Sequence, residues 1–412
     1  MHDKNIYTMQ VFDEYEKRFA KARAEKTFEP PITIEQRERI ISGVKKMLCF
    51  DESLVPTISN VKVEKEKNLG DYVEYQVIYN TWEKVYGATT VMMPKTDKPV
   101  PVAFILCGHG KNGRLSESYS LMAHRLAKSG FAVICPDNIG QGDREFMGHW
   151  NVLSPFYAGL NFQGLIVAET LALIRAVKNH PRIDKDNMCA CGNSGGGTLS
   201  LFLTALSTEL KAVSCSGYPS EFSCILSKEK THCACNLLKG CALGPEMWEI
   251  LSTFAPKPLL LEQGKNDDLI PKILAKKNAR KVKQVYTALG AENNFKFALT
   301  DTKHAWAEED RVLIAEFLCS AVGVKPCTNV DENQILTLLK DRSVTLPKDA
   351  IDTDKLTFNL TGKRVPSPLS LQDIIPPTFK GEKLDSNLVE KEIDGLDVMR
   401  IFAQMEYALK ID

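Results

Sequence analysis

Residues 188–203 constrain what this chain can fold into more than any other stretch. An apolar run, Met188-Cys189-Ala190-Cys191, meets Gly192-Asn193-Ser194-Gly195-Gly196-Gly197, and a helix-like run, Thr198-Leu199-Ser200-Leu201-Phe202-Leu203, follows at once. A strand that becomes a helix within a few residues needs glycines, because side chains there would collide with the elements on either side. The Gly-x-Ser-x-Gly spacing predicts a sharp strand–turn–helix elbow that lifts the Ser194 hydroxyl clear of a sheet edge. The same glycines leave room for substrate and for the Gly195 N–H beside a developing oxyanion.

An activated serine needs a base, and the base needs a partner that fixes its tautomer. The chain has seven histidines. His304 lies in the loop Asp301-Thr302-Lys303-His304-Ala305-Trp306, after the alternating run Phe295-Lys296-Phe297-Ala298-Leu299 that reads as a last strand. That places it to take the Ser194 proton and return it to the leaving group. Between Ser194 and His304, the apolar strand at 258–264 runs into Lys265-Asn266-Asp267-Asp268-Leu269-Ile270-Pro271, where two carboxylates compete for the imidazole. A further strand, Val102-Ala103-Phe104-Ile105-Leu106, enters Cys107-Gly108-His109-Gly110-Lys111-Asn112-Gly113. Its open backbone offers the N–H of Lys111 or Gly110 as a second oxyanion donor beside Gly195. His109 in its Gly-His-Gly setting reads as shaping this loop.

The order serine, acid, histidine and a series of loop signatures carry a resemblance. Cys107-Gly108-His109-Gly110, the run from Pro136 through Asp137, Asn138, Ile139, Gly140, Gln141, Gly142 and Asp143 to Arg144, and Gly192 to Thr198 stand in succession, followed by His232-Cys233-Ala234-Cys235-Asn236 and Ala255-Pro256-Lys257-Pro258. Over about residues 35–322 the chain resembles the α/β-hydrolase superfamily, in its acetyl xylan esterase-like and dienelactone hydrolase-like branch. The Asp267-x-x-x-Pro271 spacing resembles the acid turn of that fold and favours Asp267 over Asp268. The resemblance implies a serine carboxylesterase working through an acyl-enzyme, without a cofactor. It points to a short acyl group such as acetyl on a sugar or another small metabolite. Lys239-Gly240 stands where the pattern often has Pro-Gly, so that pocket wall differs. A serine peptidase or amidase of the prolyl oligopeptidase type would use the same triad, but the long propeller-like first domain of that group is missing. An acyltransferase would share the triad too, whereas a non-catalytic binding protein on this fold would need no activated serine.

Composition narrows partners and compartment. Lys+Arg and Asp+Glu are both 52, so no global basic field attracts nucleic acid or an anionic membrane. The Lys272 to Lys283 run reads as a solvated helix face, and no segment approaches a membrane span. Twelve cysteines behind a polar, charged N-terminus point to a reducing cytoplasm rather than a disulfide framework. Cys107, Cys135, Cys189, Cys191 and Cys319 fall in apolar runs, where cysteine acts as a small hydrophobe. His232, Cys233, Cys235 and Cys241 are metal-ligating types. The Cys-x-Cys spacing is tighter than the usual zinc pair, however, and no second matching pair follows. The expectation is therefore no metal, with His109, His149, Trp150, His232 and Cys233 forming pocket wall.

The chain divides into a helical N-terminal segment (1–50), an α/β-hydrolase domain (51–325) and a C-terminal extension (326–412). In the first, Val11, Phe12, Tyr15 and Phe19 mark one amphipathic stripe, and Thr33-Ile34-Glu35-Gln36 is a capping box opening a second helix. Strands at Asp71–Asn80 and Val85–Met93 precede alternating strands and helices, which predict a mostly parallel sheet covered on both faces. A cap-like insertion occupies about 217–254. The extension carries helical patterns at Asn333–Lys340 and about 387–409. In the latter, Leu388, Ile393, Leu396, Met399, Phe402 and Met405 form a stripe to be buried against the body or a second copy in a homo-oligomer.

Overall fold

The computed structural model describes residues 4–150, 152–226, 233–365, 378–379, 382–383 and 405–409, with side chains from residue 14 onward in the first helix and none described at 378–379 and 382–383. Nine strands form one sheet: β1 Ser59–Asn68, β2 Tyr72–Asn80, β3 Tyr86–Pro94, β4 Val100–Leu106, β5 Ala132–Pro136, β6 Ile183–Asn193, β7 Ala212–Ser216, β8 Leu259–Gly264 and β9 Phe295–Thr300. Their spatial order is β1-β2-β3-β5-β4-β6-β7-β8-β9. The first three pair antiparallel, as does β3 with β5, and the six from β5 to β9 are parallel.

Alternation along the central strands explains why helices cover both faces. On β4, Val102, Phe104 and Leu106 enter one core, while Ala103, Ile105 and the adjoining Cys107 enter the other. On β6, Met188 and Ala190 face the first core and Cys189 and Cys191 the second. The first core is closed by the helices Ile34–Met47, Phe162–Lys178, Gly195–Leu206 and Lys272–Ala288; the second by Glu117–Lys128 and Glu308–Val322. Cys107, Cys135, Cys189, Cys191 and Cys319 are all buried in the second core and unpaired, as their apolar settings predict. Cys233 and Cys235 differ, since their sulfurs lie near enough to be joined as a disulfide. Among the described residues, no helix is long and apolar enough to cross a membrane.

The flanking segments pack on this body. Thr33 and Gln36 form the expected capping box. Tyr15 and Phe19 of the helix Lys4–Glu25 are buried in the first core, whereas the side chains of Val11 and Phe12 lie outside the described residues. The 217–254 stretch leaves the sheet between β7 and β8 with the short helices Phe222–Ile225 and Met247–Ser252. The extension forms helices Glu332–Leu338 and Thr353–Thr361, the second without a forecast in the sequence. Residues 405–409 are helical, and Met405, Tyr407 and Ala408 are buried in the first core. Backbone bonds from Gly240 N–H to Tyr407 O and from Ala242 N–H to Ala408 O fasten them to the 217–254 stretch. That part of the apolar stripe is covered by the chain's own body. Leu388, Ile393, Leu396, Met399 and Phe402 lie outside the described residues.

Candidate active site

Ser194 stands between β6 and the helix Gly195–Leu206 with φ 59° and ψ −119°, a conformation costly for any residue with a β-carbon. Close packing holds it there. A β-carbon on Gly192 would lie 2.2 Å from Gly196 O, and one on Gly196 would lie 1.9 Å from Leu106 O. Those two positions therefore exclude every other residue, and the strand, the turn and β4 meet through bare backbone. Gly195 opens its helix, so its N–H has no intrahelical acceptor and the positive end of the helix dipole adds to it.

His304 Nε2 lies 2.8 Å from Ser194 Oγ, and His304 Nδ1 lies 2.8 Å from Asp267 Oδ2. The carboxylate is fixed by more than the histidine. Gln263 Nε2 donates to Oδ2 at 2.8 Å, and the N–H groups of Leu269 and Ile270 donate to Oδ1 at 2.8 and 2.9 Å. Burial alone would push the Asp267 carboxyl up. The hydrogen bond and charge of His304, with the Ile270 N–H and the Gln263 amide, outweigh it and hold the group below its usual value. Asp268 is exposed, and the turn carries only Asp267 to the imidazole.

The loop after β4 runs past this chain of bonds. Gly108 is buried and its N–H is taken by Tyr119 Oη at 2.6 Å, while Gly110 and Lys111 are exposed. Asn138 Nδ2 donates to Cys107 O at 2.8 Å. Behind the loop, the Pro136–Arg144 signature is cement. Asp137 pairs with Arg114 and accepts the Arg114 and Asp143 N–H groups, and Arg144 pairs with Glu169 through both guanidinium nitrogens. Gly110 and Lys111 also line a cleft of about 520 Å³ with the exposed rings of Phe146 and Trp150, and with Asp352 and Asp354 of the extension.

Of the expected wall residues, His109, His149, Trp150 and Cys233 come together here. The His109 ring centre is 5.0 Å from that of His149 and 5.7 Å from that of Trp150. His109 Nε2 is 2.6 Å from Cys233 Sγ and 3.1 Å from Cys235 Sγ. Burial pushes His149 down to about 4, against the bond its Nδ1 makes to Ile139 O at 2.8 Å. His232 lies outside the described residues, and Cys241 is buried in the first core. Tyr119, Gln263 and the two extension aspartates had no place in the sequence reading of the site. Each reaches it from far along the chain or without a motif of its own; Gln263 alone had a signal, its position on the strand that carries the acid.

The fold is similar to that of known proteins. Residues 57–235 match the acetyl xylan esterase family model. The structure of methylesterase BT1017 is similar, with a TM-score of 0.62 at 19% identity over 84% of this chain and 74% of that one. A putative acetyl xylan esterase from Bacteroides fragilis NCTC 9343 gives 0.56 at 16% identity, covering 79% and 94%. A promiscuous CE15 esterase from a marine bacterial metagenome gives 0.57 at 13%, covering 73% and 98%. No curated protein matches the chain in sequence. The chain has the α/β-hydrolase fold, and its residues 57–235 match the acetyl xylan esterase family model.

Proposed function

We propose that this protein hydrolyses carboxylic esters through an acyl-enzyme on Ser194. The observation that carries the reading is the unbroken hydrogen-bonded line from Asp267 through His304 to a serine held at an elbow. Ser194 Oγ attacks the carbonyl carbon as its proton passes to His304 Nε2, and the ester C–O bond breaks as that proton goes to the leaving alcohol. Water then repeats the sequence on the acyl group and restores the serine. Asp267, ionised to low pH, holds the Nδ1–H tautomer and stabilises the imidazolium. The N–H of Gly195 and that of Gly110 or Lys111 hold the oxyanion.

A small acyl group such as acetyl on a carbohydrate alcohol is the substrate class that fits best. The acetyl xylan esterase pattern supports it, and so does the cleft beside Gly110 and Lys111, where the exposed Trp150 and Phe146 rings offer faces for a sugar. Twelve cysteines, five of them buried side by side in the second core, favour a reducing compartment such as the cytoplasm.

A fluorophosphonate probe tests the reading. It should label wild-type protein on Ser194 and leave Ser194→Ala unlabelled, and that variant should lose aryl-ester hydrolysis by several orders of magnitude. A folded Ser194→Ala protein keeping more than about a tenth of wild-type turnover would rule the assignment out.

A further inference from the structure

Four side chains outside the triad converge on one point. His109 follows β4, His149 follows β5, and Cys233 and Cys235 lie between β7 and β8, so three remote stretches of chain supply them. Their ligand atoms all lie within 4.8 Å of one another. We propose that these residues form a Cys2His2 binding site for a tetrahedral, thiolate-preferring divalent cation, with Zn²⁺ as the ion.

The donor set and its distances fit. Zinc bonds of about 2.3 Å to sulfur and 2.0–2.1 Å to nitrogen place tetrahedral ligands roughly 3.3–3.8 Å apart. The His109 Nε2 contacts of 2.6 and 3.1 Å to the two sulfurs would open by about 0.5–1 Å, the reduced sulfurs would move apart, and the longer separations would close by about an ångström. The surroundings are those of a metal site as well. His149 Nδ1 donates to Ile139 O at 2.8 Å, which leaves the Nε2 lone pair facing the cluster. Gln141 Nε2 lies 3.2 Å from that lone pair and would give way to the ion. Asn236 Nδ2 points at both sulfurs, at 3.8 Å from Cys233 and 3.7 Å from Cys235, and its Oδ1 is held by Tyr218 Oη at 2.9 Å. An anchored amide aimed at two sulfurs is the outer-shell donor that a thiolate pair uses. The Cys-x-Cys spacing is tight for a zinc pair by itself, and the two histidines that complete the set come from loops no local pattern connects to it.

The same sulfurs can form a disulfide instead, and the two states exclude each other. A disulfide across one intervening residue closes too short a loop to constrain the unfolded chain much. Metal binding uses the dithiol: two S–H groups lose protons, two Zn–S bonds form, and no electrons move. With four protein ligands the ion has no open position and acts as a clamp rather than a Lewis acid. What it clamps is the oxyanion loop. The His109 ring lies against Gly195, where a β-carbon would come within 2.5 Å of it, so the ion would tie that ring and its loop to the pocket wall. Metal binding itself does not depend on the ester reading.

The test is a Co²⁺ titration of full-length, phosphine-reduced, chelator-dialysed protein under nitrogen. One equivalent should bind with the visible bands of tetrahedral cobalt and a near-ultraviolet thiolate charge-transfer band, both abolished by Zn²⁺. Cys233→Ser and Cys235→Ser should each cut the charge-transfer band to half or less and the double variant should abolish it, Cys327→Ser should keep it, and Asn236→Ala should weaken binding about 10- to 100-fold. Should the cysteine variants fail to fold, alkylation of the wild type replaces them. Zn²⁺ should then protect Cys233 and Cys235 from iodoacetamide, as read by peptide mass spectrometry. Reduced protein that binds no cobalt, binds it without charge transfer, or leaves both cysteines equally alkylated with and without Zn²⁺ overturns the proposal.

Discussion

The Tyr119 hydroxyl accepts the Gly108 N–H at 2.6 Å and lies 3.4 Å from the carbonyl oxygen of Asn193. One buried hydroxyl thus joins the loop after β4 to the residue before Ser194. Its ring stacks edge-on against Trp306, two residues past His304, with centroids 5.5 Å apart. The helix Glu117–Lys128 therefore ties together the loop after β4, the Ser194 elbow and the loop that carries His304.

Tyr119→Phe should for that reason cost more in rate than in binding. It leaves the buried Gly108 N–H without an acceptor, a loss of about 1–3 kcal/mol, and it frees the loop. Turnover of an aryl acetate should fall about tenfold or more with KM nearly unchanged. A variant with lowered thermal stability but wild-type kcat would reduce Tyr119 to a packing residue.

Asp267→Asn should depress turnover on the order of a thousand-fold or more, because the amide can present a donor to Nδ1 and turn the imidazole away from Ser194. Asp268→Asn should be close to wild type, as its exposed side chain lies outside the chain of hydrogen bonds. Steady-state kinetics on the two variants decides the matter, and the reverse ranking would move the acid to Asp268.

These residues show what a sequence can and cannot carry. Ser194, His304 and the strands that bear them have local signals: apolar runs ending in glycine, and a histidine one loop after the last strand. Asp267 was separated from Asp268 by its spacing to Pro271 alone. β1 escaped notice because Val61 and Val63 are exposed, at 65% and 50%, so no buried face imposes a pattern on Ser59–Asn68. Tyr119, Gln263 and the His109–Cys233 contact are set by how strands stack side by side. That order, β4 next to β6 and β7 next to β8, is a property of the sheet and leaves no mark within a window of residues.

The Arg144–Glu169 pair sits beneath the loop signature and should be a stability determinant. Glu169 accepts from Arg144 at 2.6 and 2.8 Å, and the arginine side chain is fully buried. Glu169→Ala strands that guanidinium without a counter-ion and should cost about 3–5 kcal/mol in urea unfolding. Replacing both residues by apolar ones of similar volume should recover most of the loss. A single variant within about 1 kcal/mol of wild type would show that the pair carries little.

A second buried pair predicts a pH dependence. Glu262 on β8 and Asp310 lie together under the acid turn, bridged by Thr300 and Thr302, whose hydroxyls are 2.9 Å apart. Burial pushes both carboxyls up, reinforced at Glu262 by the charge of Asp310 and at Asp310 by that of Glu309. The folded state thus keeps a proton that the unfolded chain has already released at the ordinary carboxylate value. Where the native state binds more protons than the unfolded one, stability falls as pH rises. The pair should therefore subtract stability progressively from the usual carboxylate range upward, until the raised native value is passed. Glu262→Gln keeps the shape of the protonated acid and removes that titration, and it relieves the repulsion on Asp310. Its urea midpoint should decline less than that of wild type between about pH 5 and 8, with the two proteins closest at the acid end. Parallel curves across that range would mean that the pair is already ionised near neutral pH, held by the threonine hydroxyls and the Ala307 N–H rather than by a shared proton.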